Sequence, residues 1–131
     1  MDELVKPFRA LADETRLRML SIVARKECCV CEVMQVLDIS QTRASRNLKI
    51  LEEAGFLKSR RKGAWVYYST DGDPPTGLAG ALATLTGEFT DKYPVFRKDL
   101  ESLKKARRLN FSCTENLKQR QKIKKKKNAS A

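Results

Sequence analysis

The 131-residue chain contains no histidine, which removes the commonest general base and the commonest zinc ligand from the chemistry open to it. No apolar run comes near the roughly 18 residues of a membrane span. The start, Met1-Asp-Glu-Leu-Val-Lys-Pro7, lacks the basic-then-apolar order of a secretory signal. A cytoplasmic protein without a membrane partner is expected. In that compartment thiols stay reduced, so Cys28, Cys29, Cys31 and Cys113 read as metal-binding or reactive groups before they read as disulfides.

Acidic residues are the minority, 16 against 27 Lys and Arg, for a formal net charge of +11. The excess is uneven: the stretch from Lys118 to Lys127 is dense in Lys and Arg and has no Asp or Glu, so the body before it is only mildly basic. This divides the chain into a folded body, residues 1–110, and a basic tail, residues 111–131, which has too few apolar residues to fold and is expected to be disordered. The tail reads either as a nonspecific phosphate-binding arm or as a solubilising end. An apolar share of 41% suits one small domain with a single core.

Along the body, Leu4, Val5, Phe8 and Leu11 line one face of a first short helix. Asp13 is placed to cap a second, whose stripe is Leu17, Leu20 and Val23, or Met19 and Ile22 beside them. Val30, Val33, Met34 and Leu37 suggest a third, ending at Asp38-Ile39-Ser40. Ser40 can then cap a fourth helix from Gln41 to about Ala54, with Ala44, Leu48 and Leu51 inward and Gly55 as its terminator. From Phe56 the period changes to an alternation that suits two strands around Lys62-Gly63. Beyond the Asp71-Gly-Asp-Pro-Pro75 breaker, Leu78, Leu82, Leu85 and Phe89 recur at helical spacing, and Phe96, Leu100 and Leu103 follow in the same way. These last helices offer either monomer core or a dimer face.

Helix, helix, short turn, basic helix and basic hairpin is the order of a winged helix-turn-helix, in which the helix after the turn enters the major groove and the wing reaches the backbone beside it. The predicted class is mainly α with a small β-hairpin, with helical dimerisation elements at both ends. Gln41, Thr42, Arg43, Ser45, Arg46 and Lys49 then face DNA from the helix, and Arg60, Arg61 and Lys62 from the wing. Arg suits guanine edges and Gln adenine, whereas the wing residues and Lys49 suit phosphates.

Leu11-Ala-Asp-Glu-Thr-Arg-Leu-Arg-Met-Leu20, Cys29-Val-Cys-Glu-Val33, Ser40-Gln-Thr-Arg-Ala-Ser-Arg-Asn-Leu48, Ala54-Gly-Phe-Leu57 and Arg60-Arg-Lys-Gly-Ala-Trp65 together resemble the ArsR family of winged-helix, metal-responsive repressors. The match covers about half of the chain. The Cys29-Val-Cys31 pair resembles the arsenite-sensing branch. That resemblance implies a homodimeric transcriptional repressor, not an enzyme, which releases double-stranded operator DNA when trivalent arsenic or antimony binds cysteine thiolates, with no catalytic cofactor. Two positions depart from the branch: Met34 stands where a third cysteine is frequent, and Asn47 where histidine is usual. The second is expected to matter little, because Gln41, Arg43, Ser45 and Arg46 still match.

Thiolates select soft ions, and a helix start favours the thiolate form. Cys28, Cys29 and Cys31 are therefore the candidate ligands. On a regular helix Cys29 and Cys31 stand about 200° apart, so sharing one ion requires an extended or distorted turn. Drawing the sulfurs together would then strain the helix that supports Gln41 to Lys49, a route to mutually exclusive ligand and DNA binding. Cys28 and Cys113 are the candidates for a third sulfur. The alternatives are a thiol redox sensor on the same scaffold, or cysteines that serve only as small buried hydrophobes.

Overall fold

Two capped helices organise the fold. Asp13 Oδ1 accepts the Arg16 N–H at 3.0 Å and opens α2 (Glu14–Arg25), while Ser40 Oγ accepts the Arg43 N–H at 3.2 Å and opens α4 (Gln41–Glu53). Each oxygen satisfies a helix N–H that has no partner within the helix. In the computed structural model, which describes residues 1–70 and 77–108, the other elements are α1 (Asp2–Leu11), β1 (Cys28–Cys29), α3 (Val30–Leu37), β2 (Lys58–Lys62), β3 (Trp65–Ser69), α5 (Gly77–Thr90) and α6 (Pro94–Lys105). The Asp71 to Pro75 breaker, the tail and Cys113 lie outside the described residues.

Ala44, Leu48 and Leu51 of α4 are fully buried, in one cluster with Met19, Ile22 and Val23 of α2 and Val33 and Leu37 of α3. Between α3 and α4, Asp38 takes a left-handed conformation (φ 52°). Gly55 ends α4 at φ +89°, a conformation that glycine adopts without strain. The helix-turn-helix and its inward stripe thus follow the sequence reading.

The expected hairpin is present, but it belongs to a three-stranded antiparallel sheet of order β1-β3-β2. β2 and β3 close through Gly63 and Ala64, with Lys62 opposite Trp65 and Gly63 at φ +64°. β1 pairs Cys28 with Tyr68 and Cys29 with Tyr67. This short strand was not expected, because a two-residue strand exists only through its partner.

On α1 the buried residues are Pro7, Ala10 and Leu11, whereas Leu4 and Phe8 stand half exposed. Of the apolar face read from Leu4, Val5, Phe8 and Leu11, this chain's core takes up Leu11 and leaves Leu4 and Phe8 half exposed. Leu85 and Phe89 of α5, and Tyr93 beyond it, are likewise exposed. α6 is fixed to α2 by Arg18, whose Nε and Nη2 donate to Asp99 at 2.8 and 2.9 Å. No helix among the described residues is long and apolar enough to cross a membrane.

Candidate functional site

Cys29 is the N-cap of α3, with extended backbone (φ −82°, ψ 164°), and Cys31 lies in the first turn. The extended cap removes the separation expected on a regular helix. The two Cα atoms are 5.4 Å apart, and the sulfurs meet as a bonded pair. Both residues are buried.

Cys28 is adjacent in sequence but set apart in space. Successive strand residues project to opposite faces, and Cys28 faces the core, its thiol donating to the Lys26 carbonyl at 3.1 Å. Burial, aided by the Glu32 carboxylate, pushes its pKa up to about 12, so it stays a thiol at neutral pH. The structure therefore brings together two of the three expected ligands. Among the described residues no group of three or more His, Cys, Asp or Glu is placed to hold a metal.

A buried carboxylate shapes the pair. Glu32 Oε1 accepts the Cys29 N–H at 3.0 Å and Arg108 Nε at 3.0 Å, and its Oε2 accepts Lys26 Nζ at 2.8 Å. Glu32 occupies the third helical position, where a Glu reaches back to the cap N–H; that spacing was the available sequence signal, and it was missed. Beside it Gln35 holds the extended end of α6, donating to the Arg107 carbonyl at 2.7 Å and accepting the Arg107 N–H at 3.2 Å.

On α4, Gln41, Thr42, Arg43, Arg46 and Lys49 are exposed and Ser45 is half buried. This is one basic helical face, set immediately after the turn. Arg43 also donates to Thr15 Oγ1 at 3.1 Å. Asn47 is turned inward, accepting Arg16 Nη1 at 2.9 Å and donating to the Arg43 carbonyl at 2.9 Å. Arg16 also donates to the carbonyls of Ala10 and Arg9 at 2.6 and 3.2 Å, so one guanidinium ties α1, α2 and α4 together.

Of the wing residues, Arg61 and Lys62 are exposed near the turn. Arg60 is engaged within the protein: its Nε and Nη2 both donate to the Glu27 carboxylate at 2.8 Å, which holds that carboxylate below its ordinary pKa. The Arg60 guanidinium also lies 4.8 Å from the centre of the Tyr67 ring. Trp65 stacks on Tyr67 as a hairpin packing pair.

Residues 13–59 match the model of the family described as bacterial regulatory protein, arsR family. The chain is 48% identical over 86 residues to the arsenic resistance transcriptional regulator ArsR1 of Pseudomonas putida, covering 63% of this chain and 67% of that one. It is 43% identical over 65 residues to the arsenical resistance operon repressor of Escherichia coli, covering 49% of this chain and 56% of that one. Among solved structures it resembles a homodimeric winged helix-turn-helix DNA-binding domain of a possible ArsR-family regulator from Mycobacterium bovis, with TM-score 0.58, 27% identity, and 70% and 82% of the two chains covered. Its relatives are transcriptional regulators, and the chain belongs to the arsR family of bacterial regulatory proteins.

Proposed function

We propose that the protein is a homodimeric, cytoplasmic repressor that binds double-stranded operator DNA through α4 and the wing, and releases it when Cys29 and Cys31 take a trivalent arsenic or antimony ion. The observation that carries this is the meeting of two buried sulfurs at the start of α3, the helix packed directly against α4. A pair of soft donors without histidine or a carboxylate in the set fits a thiophilic ion. The names of the Pseudomonas putida and Escherichia coli relatives support arsenic as that ion.

Cys29 and Cys31 supply two of its ligands, and Cys28, facing the core, supplies none. The half-exposed Leu4 and Phe8 of α1 and Leu85 and Phe89 of α5 supply the dimer face, in keeping with the homodimeric Mycobacterium bovis domain. Gln41, Thr42, Arg43, Ser45, Arg46 and Lys49 face the major groove, and Arg61 and Lys62 face phosphates.

The test is fluorescence anisotropy of the reduced protein on a duplex that it has itself selected from a random pool. Release on adding arsenite or antimonite, absent in Cys29→Ser and Cys31→Ser, supports the assignment; DNA retained at saturating arsenite overturns it. The same sulfur pair supports a second reading as a thiol redox sensor, in which peroxide takes two electrons from the thiols and leaves a disulfide and water. Peroxide-driven release that dithiol reverses, without arsenite binding, selects that alternative.

A further inference from the structure

The cysteine pair and the wing share one row of the sheet. Cys29 sits opposite Tyr67, and Tyr67 sits opposite Arg60; directly opposed residues project from the same face. The row is fastened at both ends. At the wing, Glu27 grips Arg60 through two 2.8 Å hydrogen bonds, beside the Tyr67 ring. At the cysteine end, the Arg108 guanidinium lies 4.7 Å from the same ring centre, with Nε on Glu32 and Nη2 on the Glu27 carbonyl at 3.0 Å each.

Glu27 lies two residues before Cys29, so one short segment carries a sulfur at one end and the hold on the wing at the other. A dithiol first reduces the bonded Cys29–Cys31 pair, supplying two electrons and two protons; arsenite, As(OH)3, then exchanges two hydroxyls for the two sulfurs with release of two waters, and the arsenic between them sets the sulfurs apart. Cys29 then shifts against Tyr67, its partner in the ladder, and Glu27 shifts with the same backbone. A two-point Arg–carboxylate fork has fixed geometry, so Arg60 follows Glu27.

We propose that Glu27, Arg60 and Tyr67 form the row that couples the cysteine pair to the wing, with Arg60 a positioning residue instead of a phosphate contact. This rests on the ligand-released repressor described above and replaces the sequence expectation that Arg60 faces DNA.

The experiment uses the full chain, the selected duplex and arsenite. DNA affinity is measured against salt, with and without arsenite, for wild type, Glu27→Gln, Arg60→Gln, Arg60→Lys and Arg61→Gln, and arsenite stoichiometry is measured in parallel. Wild type is expected to lose roughly 5–150-fold in DNA affinity on binding arsenite, the ordinary range of such coupling. Both Arg60 variants and Glu27→Gln bind arsenite with unchanged stoichiometry and keep the salt slope, but lose less than about threefold, and the Glu27→Gln/Arg60→Gln double variant loses no more than either alone. Arg61→Gln lowers the slope by about 0.9 and keeps the wild-type ratio.

An Arg60→Gln variant that lowers the slope by the same step and keeps the ratio overturns the inference alone, as does any case in which wild type and all variants release equally. Wild type that binds arsenite and keeps its DNA overturns the proposed function and this inference together.

Discussion

Glu32→Ala is expected to destabilise the reduced protein by about 2–4 kcal/mol, and the partners of the carboxylate decide that figure. The Glu32 side chain is 0% exposed, whereas those of Lys26 and Arg108 are 47% and 40% exposed. With the carboxylate gone, both cations turn to water, and exposed pairs of this kind contribute only about 0–1 kcal/mol. The Cys29 N–H has no such recourse, because Cys29 is buried. A buried donor left without an acceptor costs ~1–3 kcal/mol, and the void left by truncation adds on the order of 1 kcal/mol. For a folded body of about 100 residues this lowers the melting temperature by at least roughly 8 °C. Glu32→Gln keeps an oxygen for the Cys29 N–H and is expected to cost less than half as much. Urea and thermal unfolding under dithiol read both variants. An alanine variant within about 0.5 kcal/mol of wild type, or a glutamine variant as costly as alanine, would refute the assignment of Glu32 as the partner that shapes the cap.

Three further outcomes are expected. Phe8→Glu or Phe89→Glu places a charge on a half-exposed face, so sedimentation should show monomers with the fold retained; an unchanged dimer would exclude that face. Native alkylation near pH 8 should leave Cys28 unmodified until the protein unfolds, because the thiol is buried and its pKa lies at about 12; rapid labelling by peptide mass mapping would contradict its placement. Asn47→Leu removes the acceptor of Arg16 Nη1, which should cost about 1–3 kcal/mol and weaken DNA binding, since α4 loses its tie to α1; unchanged melting and affinity would show that the tie is idle.

The parts of the fold legible in the sequence are those set by local chemistry. Asp13 and Ser40 cap the helices that they were read to cap, and the Ala44, Leu48 and Leu51 spacing names the buried stripe of α4. What escaped was set by partners distant in sequence. β1 exists because Tyr67 and Tyr68 pair with two cysteines, and its extended backbone at Cys29 is what brings the sulfurs together. The same strand alternation sends Cys28 to the core, which no spacing rule for a helix start would show. Arg60 looked like one of three equivalent wing charges, yet Glu27, 33 residues earlier, engages it. The face of Leu4 and Phe8 was legible as apolar, but its half exposure was not, because helical spacing does not say how far the core of this chain extends.

Cys29 and Cys31 are proposed as the inducer site, without Cys28. Native mass spectrometry of the reduced protein with arsenite, alongside Cys28→Ser, Cys29→Ser and Cys31→Ser, decides whether they are. One arsenic per subunit, kept in Cys28→Ser and lost in each of the other two, is the expected result. No bound arsenic in the wild type, or binding that survives in Cys29→Ser and Cys31→Ser, would contradict it.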